Sequence, residues 1–357
     1  MNRTQNIRRE TIMKLNKIIL ENVRCFEHIE LKIPSECCVL VGRNGSGKST
    51  ILRAITNLYI ALMGLGHNDE FEDCLFEPRD IRFGQSALEV QIDFGLNVEE
   101  QQLLQSDSFP IRVGFVGGII HIFYPTECMK EEKKREYQLK WELFRDLVRN
   151  KARILYFDAY RFMSEDNPVG PVVSENMKKN VPLLQLSINK KGHVTNKVMQ
   201  LKQWLINVDY IRLKSTNNQY ELLYQHLTRA FDLLLHPLKY KGIDEEGNIL
   251  FFDEDNQIPI EIDLLSDGFK SVFQILVGTM KMFFEGASEE VPFYMSDGVV
   301  LIDEIDCHIH PRWQKNILPS FKELFPNCQF IVTTHSPYIL SSVNDSDIIQ
   351  IGEKSIE

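Results

Sequence analysis

A run of apolar residues, Val39-Leu40-Val41, leads into Gly42-Arg43-Asn44-Gly45-Ser46-Gly47-Lys48-Ser49-Thr50, and Ile51, Leu52 and Ile55 follow at helical spacing. The order is buried strand, glycine-rich turn, helix, and the turn fits G-x-x-x-x-G-K-[ST]. Glycines let the backbone curl so that successive N–H groups face one anion, and the positive end of the helix adds to their pull. The expected ligand is a nucleoside triphosphate with Mg²⁺. Gly42, Asn44, Gly45, Ser46, Gly47 and Thr50 form the cradle, Lys48 reaches the β- and γ-phosphates, and Ser49 places a hydroxyl on the metal.

The rest of the chain is compatible with that reading. Its 357 residues are 43% hydrophobic and 25% charged, enough for a sizeable core. No apolar run reaches membrane-spanning length, and MNRTQNIRRETIMKL carries charge but no apolar signal region. A cytoplasmic protein with no membrane partner is expected, with residues 1–12 as a flexible tail before Met13. Seven scattered cysteines, with no C-x-x-C pair, suit a reducing compartment and give no zinc site. The net charge of −10 argues against a protein coated in basic surface for nucleic acid, though not against a local basic groove.

Along the chain, 15–33 and 37–42 read as strands, and 81–95 and 111–124 as antiparallel strands. Residues 129–150 read as a charged helix and 152–162 as a strand leaving the core. A polar, proline-containing stretch follows from 164 to 197. Its "NKKGHVTNK" is read as an exposed loop, with a basic contact to DNA as the alternative. Two helices are expected over 198–235, short strands near 247–263, and a helix over about 267–286.

Three further motifs follow. "GVVLIDEIDCHIHP" begins at Gly298 with four apolar residues of a parallel-type strand and ends in Asp303-Glu304. A carboxylate at that edge can hold Mg²⁺, which assigns Asp303 to the metal with Ser49, and Glu304 is placed to polarise the attacking water. "QFIVTTHSPYIL" offers a second strand ending near His335, which can hydrogen-bond the γ-phosphate and respond to its loss. "LLSDGFKSV" places Ser266 and Gly268 at the start of a helix, another anion-binding end. His308 and His310 form an H-x-H pair without a clear third ligand and are not read as a metal site.

In this order the motifs resemble the ATP-binding-cassette ATPases of the RecF, SMC and OLD type: phosphate loop, "LSDG" signature, "VVLIDEID" strand and "TTHS" switch histidine. "ILENVRCFEHIEL" is similar to that group's first strand, which implies that Asn22 and Arg24 lie beside the nucleotide. "DEIDCHIHPRWQ" with "IVTTHSPYIL" is especially similar to bacterial antiviral ATPases of the Septu (PtuA) and retron-associated kind. The resemblance implies an α/β fold, a P-loop ABC-ATPase head with a mixed β-sheet core, an antiparallel β subdomain and a helical signature lobe. The head would span 13–357, with a nucleotide lobe of about 13–162 plus 297–357 and a signature lobe of about 163–296. The group's usual glutamine after the central strands has no match in Phe157-Asp158-Ala159-Tyr160-Arg161, and Gln85 and Gln91 are poorer candidates. No long coiled-coil insertion is present. Only 22 residues follow His335, so a Toprim nuclease domain of the OLD kind is not expected.

The resemblance implies ATP with Mg²⁺ as the ligand and catalytic roles for Lys48, Glu304 and His335. It also implies a head-to-tail dimer in which Ser266 and Gly268 of one subunit cover the ATP of the other. The favoured function is an ATPase switching a separately encoded effector, such as a nuclease, in antiviral defence. DNA or RNA is a further possible partner. The alternative is a RecF-like repair ATPase that binds DNA directly. A transporter's nucleotide domain is disfavoured, because Ser266 lies 37 residues before Asp303 and "LSDGF" lacks the usual glutamine.

Overall fold

The buried strands alternate their side chains between two cores. The computed structural model describes residues 14–63, 76–123, 131–151, 153–159, 184–186, 197–214, 218–253, 258–287 and 291–352. The expected N-terminal tail, residues 164–183 of the expected loop, "NKKGHVTN" of the basic stretch, and Cys74 and Cys128 lie outside these residues.

The first half of the chain runs β1 (Lys14–Val23), β2 (Phe26–Lys32), β3 (Cys37–Val41), α1 (Lys48–Met63), β4 (Ala87–Gly95), α2 (Val98–Leu104), β5 (Ser108–Val116), β6 (Ile119–Phe123), α3 (Glu131–Lys151), β7 (Ile154–Phe157) and β8 (Leu184–Leu186). It continues with α4 (Lys197–Lys214), α5 (Asn218–Leu234), β9 (Leu238–Ile243), β10 (Ile249–Asp253), β11 (Pro259–Glu261), α6 (Asp267–Glu285), β12 (Gly298–Ile302), α7 (Pro311–Leu324), β13 (Cys328–Thr333), α8 (Pro337–Leu340) and β14 (Ile348–Gln350).

Six strands make a parallel sheet in the order β14-β3-β13-β12-β7-β8. Its strands are short apolar runs because both faces are covered. Val39, Phe157, Val300, Ile302, Phe330 and Val332 point into a core shared with α4, α5, α6 and α7. Their neighbours Leu40, Tyr156, Val299, Leu301 and Ile331 point into a second core shared with α1, α3 and an antiparallel sheet. That sheet has the order β2-β1-β4-β5-β6, and a separate three-stranded antiparallel sheet runs β11-β10-β9. Cys37 and Cys38 fall on opposite faces of β3, and burial pushes the Cys37 thiol up to about 12, so both are packing groups rather than reactive ones.

The expected α/β head is therefore present, with parallel and antiparallel strands sorted into different sheets. Several boundaries are corrected. Residues 15–33 are a hairpin folded at Arg24-Cys25, not one continuous strand. The 81–95 strand starts only at Ala87. The 111–124 run is broken by Gly117-Gly118, whose φ values of +58° and +85° turn it into the β5–β6 hairpin. Neither α2 nor β9 was expected, and β9 precedes the strands read near 247–263. Among the described residues no helix is long and apolar enough to cross a membrane.

Candidate nucleotide-binding site

The parallel topology brings the C-terminal ends of β3, β12, β13 and β7 to one edge of the sheet. The glycine-rich turn leaves β3 and enters α1 at Lys48. Gly45 and Gly47 take φ values of +79° and +100°, and an added Cβ at Gly47 would overlap the Phe26 ring. The β1–β2 turn thus packs directly onto the loop. Ser46 donates its backbone N–H to the Arg43 carbonyl at 3.1 Å, while its buried Oγ has no hydrogen-bond partner. An unsatisfied buried hydroxyl in a loop of this shape fits a phosphate oxygen. Asn44 is exposed, Ser49 half-buried and Thr50 buried in the first turn of α1.

Lys48 is buried and its ammonium is held internally. Nζ donates to the carbonyls of Gly42 (3.0 Å) and Arg43 (3.2 Å) and lies 2.9 Å from Nε2 of His335. An ammonium has only protons to give, so Nε2 is the acceptor. Burial lowers the Lys48 pKa, against the opposing charges of Asp303, Glu304 and Asp306. Lys48 and His335 therefore meet in space, as do the elements that carry the carboxylates.

Those carboxylates are organised by β13. Thr333 is fully buried; its Oγ1 donates to Asp303 Oδ1 at 2.5 Å and accepts the Glu304 N–H at 2.7 Å. Glu304 itself has φ +46°, a left-handed turn immediately after the strand. Next along, Thr334 donates to Asp306 Oδ1, and the same oxygen accepts the His335 N–H at 3.4 Å. Each threonine thus joins the end of β13 to the turn after β12.

Arg24 on the β1–β2 turn and Asn22 near the end of β1 both have positive φ, 47° and 54°. Arg24 is committed to Asp80, a buried carboxylate, through Nε at 2.8 Å and a second nitrogen at 2.6 Å. The following residues, Cys25 and Phe26, place their side chains against Gly47 of the phosphate loop.

Ser266 is the N-cap residue of α6 but makes no side-chain cap hydrogen bond. Gly268 lies against the turn after β12, where an added Cβ would sit 2.5 Å from the His308 carbonyl. The contacts of Gly268 run to that turn and not to the phosphate loop. His308 has φ +64°, and His310 caps α7, accepting the Arg312 N–H at Nδ1 at 3.3 Å. Among the described residues no group of three or more His, Cys, Asp or Glu forms a metal site.

Where a glutamine was sought, β7 is followed by Asp158, buried and ion-paired with Arg53 of α1 at 3.5 Å, while Tyr160 and Arg161 of that stretch lie outside the described residues. Gln91 is on β4 and donates its amide to Asp93 at 2.9 Å. The sequence reading did not single out Thr333, Thr334 or Asp306. The available signal was a pair of hydroxyls ending an apolar strand, where two more apolar residues would have been expected.

A family model described as "AAA domain, putative AbiEii toxin, Type IV TA system" matches residues 150–341. A second, "AAA ATPase domain", matches residues 13–136. The chain is 24% identical to "Retron Ec83 probable ATPase" of Escherichia coli, over 96% of this chain and 72% of the relative. It is 22% identical to "Septu protein PtuA" of Bacillus thuringiensis, over 96% of this chain and 76% of the relative. Among solved structures, an SMC head bound to the C-winged helix domain of ScpA superposes with a TM-score of 0.58 at 16% identity, covering 95% of each chain.

Proposed function

The chain belongs to the AAA-domain family whose model spans residues 150–341, and from that membership we propose that it is an ATP-driven switch that pairs head to tail around ATP and acts on a separately encoded effector in cytoplasmic antiviral defence. It is an ABC-like ATPase, as the AAA ATPase domain and retron relative indicate. The observation that carries the reading is the meeting of Lys48 and His335 at the sheet edge where β12 presents Asp303 and Glu304.

The unpartnered Ser46 hydroxyl and the positive-φ glycines fit a triphosphate, and the Ser49 hydroxyl with the Asp303 carboxylate is a hard-oxygen set suited to Mg²⁺. Mg²⁺, when bound, neutralises charge developing on the phosphate oxygens. Lys48 exchanges its contacts with Gly42, Arg43 and His335 for the β- and γ-phosphates. Glu304 orients the attacking water and accepts its proton. His335, released from Lys48, hydrogen-bonds the γ-phosphate. Asn22 and Arg24 flank the loop. We read residues 13–162 with 297–357 as the nucleotide lobe and 163–296 as the signature lobe.

The head-to-tail part of the reading is supported by α6. Its first N–H groups lack the Ser266 side chain as a cap, which leaves them for an anion. A second subunit's γ-phosphate supplies that anion. Hydrolysis removes it, separates the heads and transmits a change to the effector, for which a nuclease is the favoured class. The Septu and retron relatives support the defence setting.

Light scattering on the purified chain tests this reading. ATP with Mg²⁺ is expected to double the mass and ADP to return it; an unchanged mass contradicts pairing around ATP. Capture of the tagged chain with its genomic neighbours is expected to retain a second protein. ATP-stimulated, salt-sensitive DNA binding with no such protein replaces the effector by the RecF-like alternative.

A further inference from the structure

The geometry points to Thr333 as a positioning residue that fixes the Glu304 backbone and the Asp303 carboxylate through one hydroxyl. The inference deepens the ATPase site proposed above and rests on the role of Glu304 in it.

Strand alternation puts Thr333 where it can do this. On β12, Val299 and Leu301 face the core shared with α1; on β13, Ile331 faces the same way. Ile302 pairs with Val332 in parallel register, so the next residues, Asp303 and Thr333, are neighbours on that same face. An apolar residue would continue the core there. The chain instead buries a hydroxyl completely, and that hydroxyl uses both its capacities: its proton goes to Asp303 Oδ1 at 2.5 Å and a lone pair accepts the Glu304 N–H at 2.7 Å.

The second of these bonds is the informative one. Glu304 leaves β12 with φ +46°, a conformation that a residue with a side chain rarely holds without outside support. The turn receives that support from both sides of Glu304. Asp303 donates its N–H to the Phe157 carbonyl at 2.8 Å and Ile305 donates to the Thr333 carbonyl at 3.0 Å, while Glu304 between them donates its N–H to the Thr333 hydroxyl at 2.7 Å. Without that hydroxyl the Glu304 N–H loses its strand-side anchor, the φ of Glu304 relaxes, and its carboxylate moves off the line to the water it activates. A displacement of about 1 Å at such a group can lower a rate about 10²-fold without altering how substrate is held. Thr333 therefore acts on turnover rather than on nucleotide affinity, which is set by the loop and Lys48.

The test compares Thr333→Val, Thr333→Ser, Thr333→Ala and Glu304→Gln in the full chain, each measured for equilibrium binding of ATP and for phosphate release at saturating ATP. Thr333→Val is expected to bind ATP within about threefold of the parent and to lose about 10- to 100-fold in kcat, with Thr333→Ser within about threefold of the parent. Should Thr333→Val unfold, the Ser and Ala variants decide, because both lack the methyl and differ only in the hydroxyl. Ser active and Ala impaired in kcat supports the inference. Equal kcat for that pair, or a parental kcat in Thr333→Val, overturns it. A parental kcat in Glu304→Gln overturns the role of Glu304 as well, whereas an inactive Glu304→Gln beside an unaffected Thr333→Val removes Thr333 alone.

Discussion

Glu304→Gln is expected to lower turnover by about 10²–10⁴-fold while leaving ATP bound. The amide keeps the size of the side chain, and the backbone N–H to Thr333 Oγ1 that holds residue 304 does not depend on the side chain at all. What the amide lacks is a lone pair basic enough to take the proton of the attacking water. Lys48, Gly42, Ser46 and Ser49 are untouched, so affinity stays near that of the parent. The nucleotide then persists between the heads, and the ATP-dependent increase in mass outlasts the parent's. Phosphate release and retained nucleotide, measured on the same sample, check this. Parental turnover would remove Glu304 as the base, and a loss of ATP binding would mean that the substitution damages the loop rather than the chemistry.

Lys48→Ala produces the other large effect, on binding itself. Lys48 is held close to the anion cradle, where burial lowers its pKa against the opposing charges of Asp303, Glu304 and Asp306. Its ammonium faces two backbone carbonyls and an imidazole, partners it can exchange for phosphate oxygens without moving far. A hydrogen bond to a charged group contributes about 1.5–3 kcal/mol, so removing it should weaken ATP binding about 10- to 150-fold and abolish turnover at cellular ATP. Direct titration with a fluorescent ATP analogue checks the first effect. Because alanine favours helix at the start of α1, the thermal unfolding midpoint should fall little, which separates lost affinity from lost fold. An unchanged affinity would remove Lys48 from the site.

How much of this was legible beforehand depends on what kind of signal each residue carries. The phosphate loop could be read because its chemistry is contiguous: one glycine-rich turn sets the backbone, and strand and helix signals flank it. The strands ending in Asp303 and near His335 could be read because parallel strands covered on both faces are short, wholly apolar runs. Which strands are neighbours was not legible, since β13 lies between β3 and β12 and the chain visits them in a different order. Without that order the Thr333–Asp303 and Thr334–Asp306 bonds, which link residues 30 and 28 positions apart, have no sequence signature. Hairpins were lost for another reason. The Gly117-Gly118 turn and the Asn22–Arg24 turn are brief interruptions in apolar runs, and periodicity averages over them. Asp158 was within the stretch searched for a glutamine, but its pairing with Arg53 depends on α1 packing beside β7, which only the folded chain brings about.

The central claim is that each ATP is completed by two subunits, and mixing two defective variants tests it most directly. Ser266→Arg fills the start of α6 with a bulky cation and blocks its approach to a partner's γ-phosphate; Lys48→Ala disables the phosphate loop of its own subunit. Each variant alone should hydrolyse ATP poorly, because both sites of its homodimer carry the lesion. In a mixed dimer, one site combines the intact Lys48 of the Ser266→Arg subunit with the intact Ser266 of the Lys48→Ala subunit, while the other site carries both lesions. With subunit exchange established by two different tags, phosphate release from the mixture is expected to exceed that of either variant alone. Exchange without any recovered activity would contradict an ATP site shared head to tail between two subunits and able to fire independently.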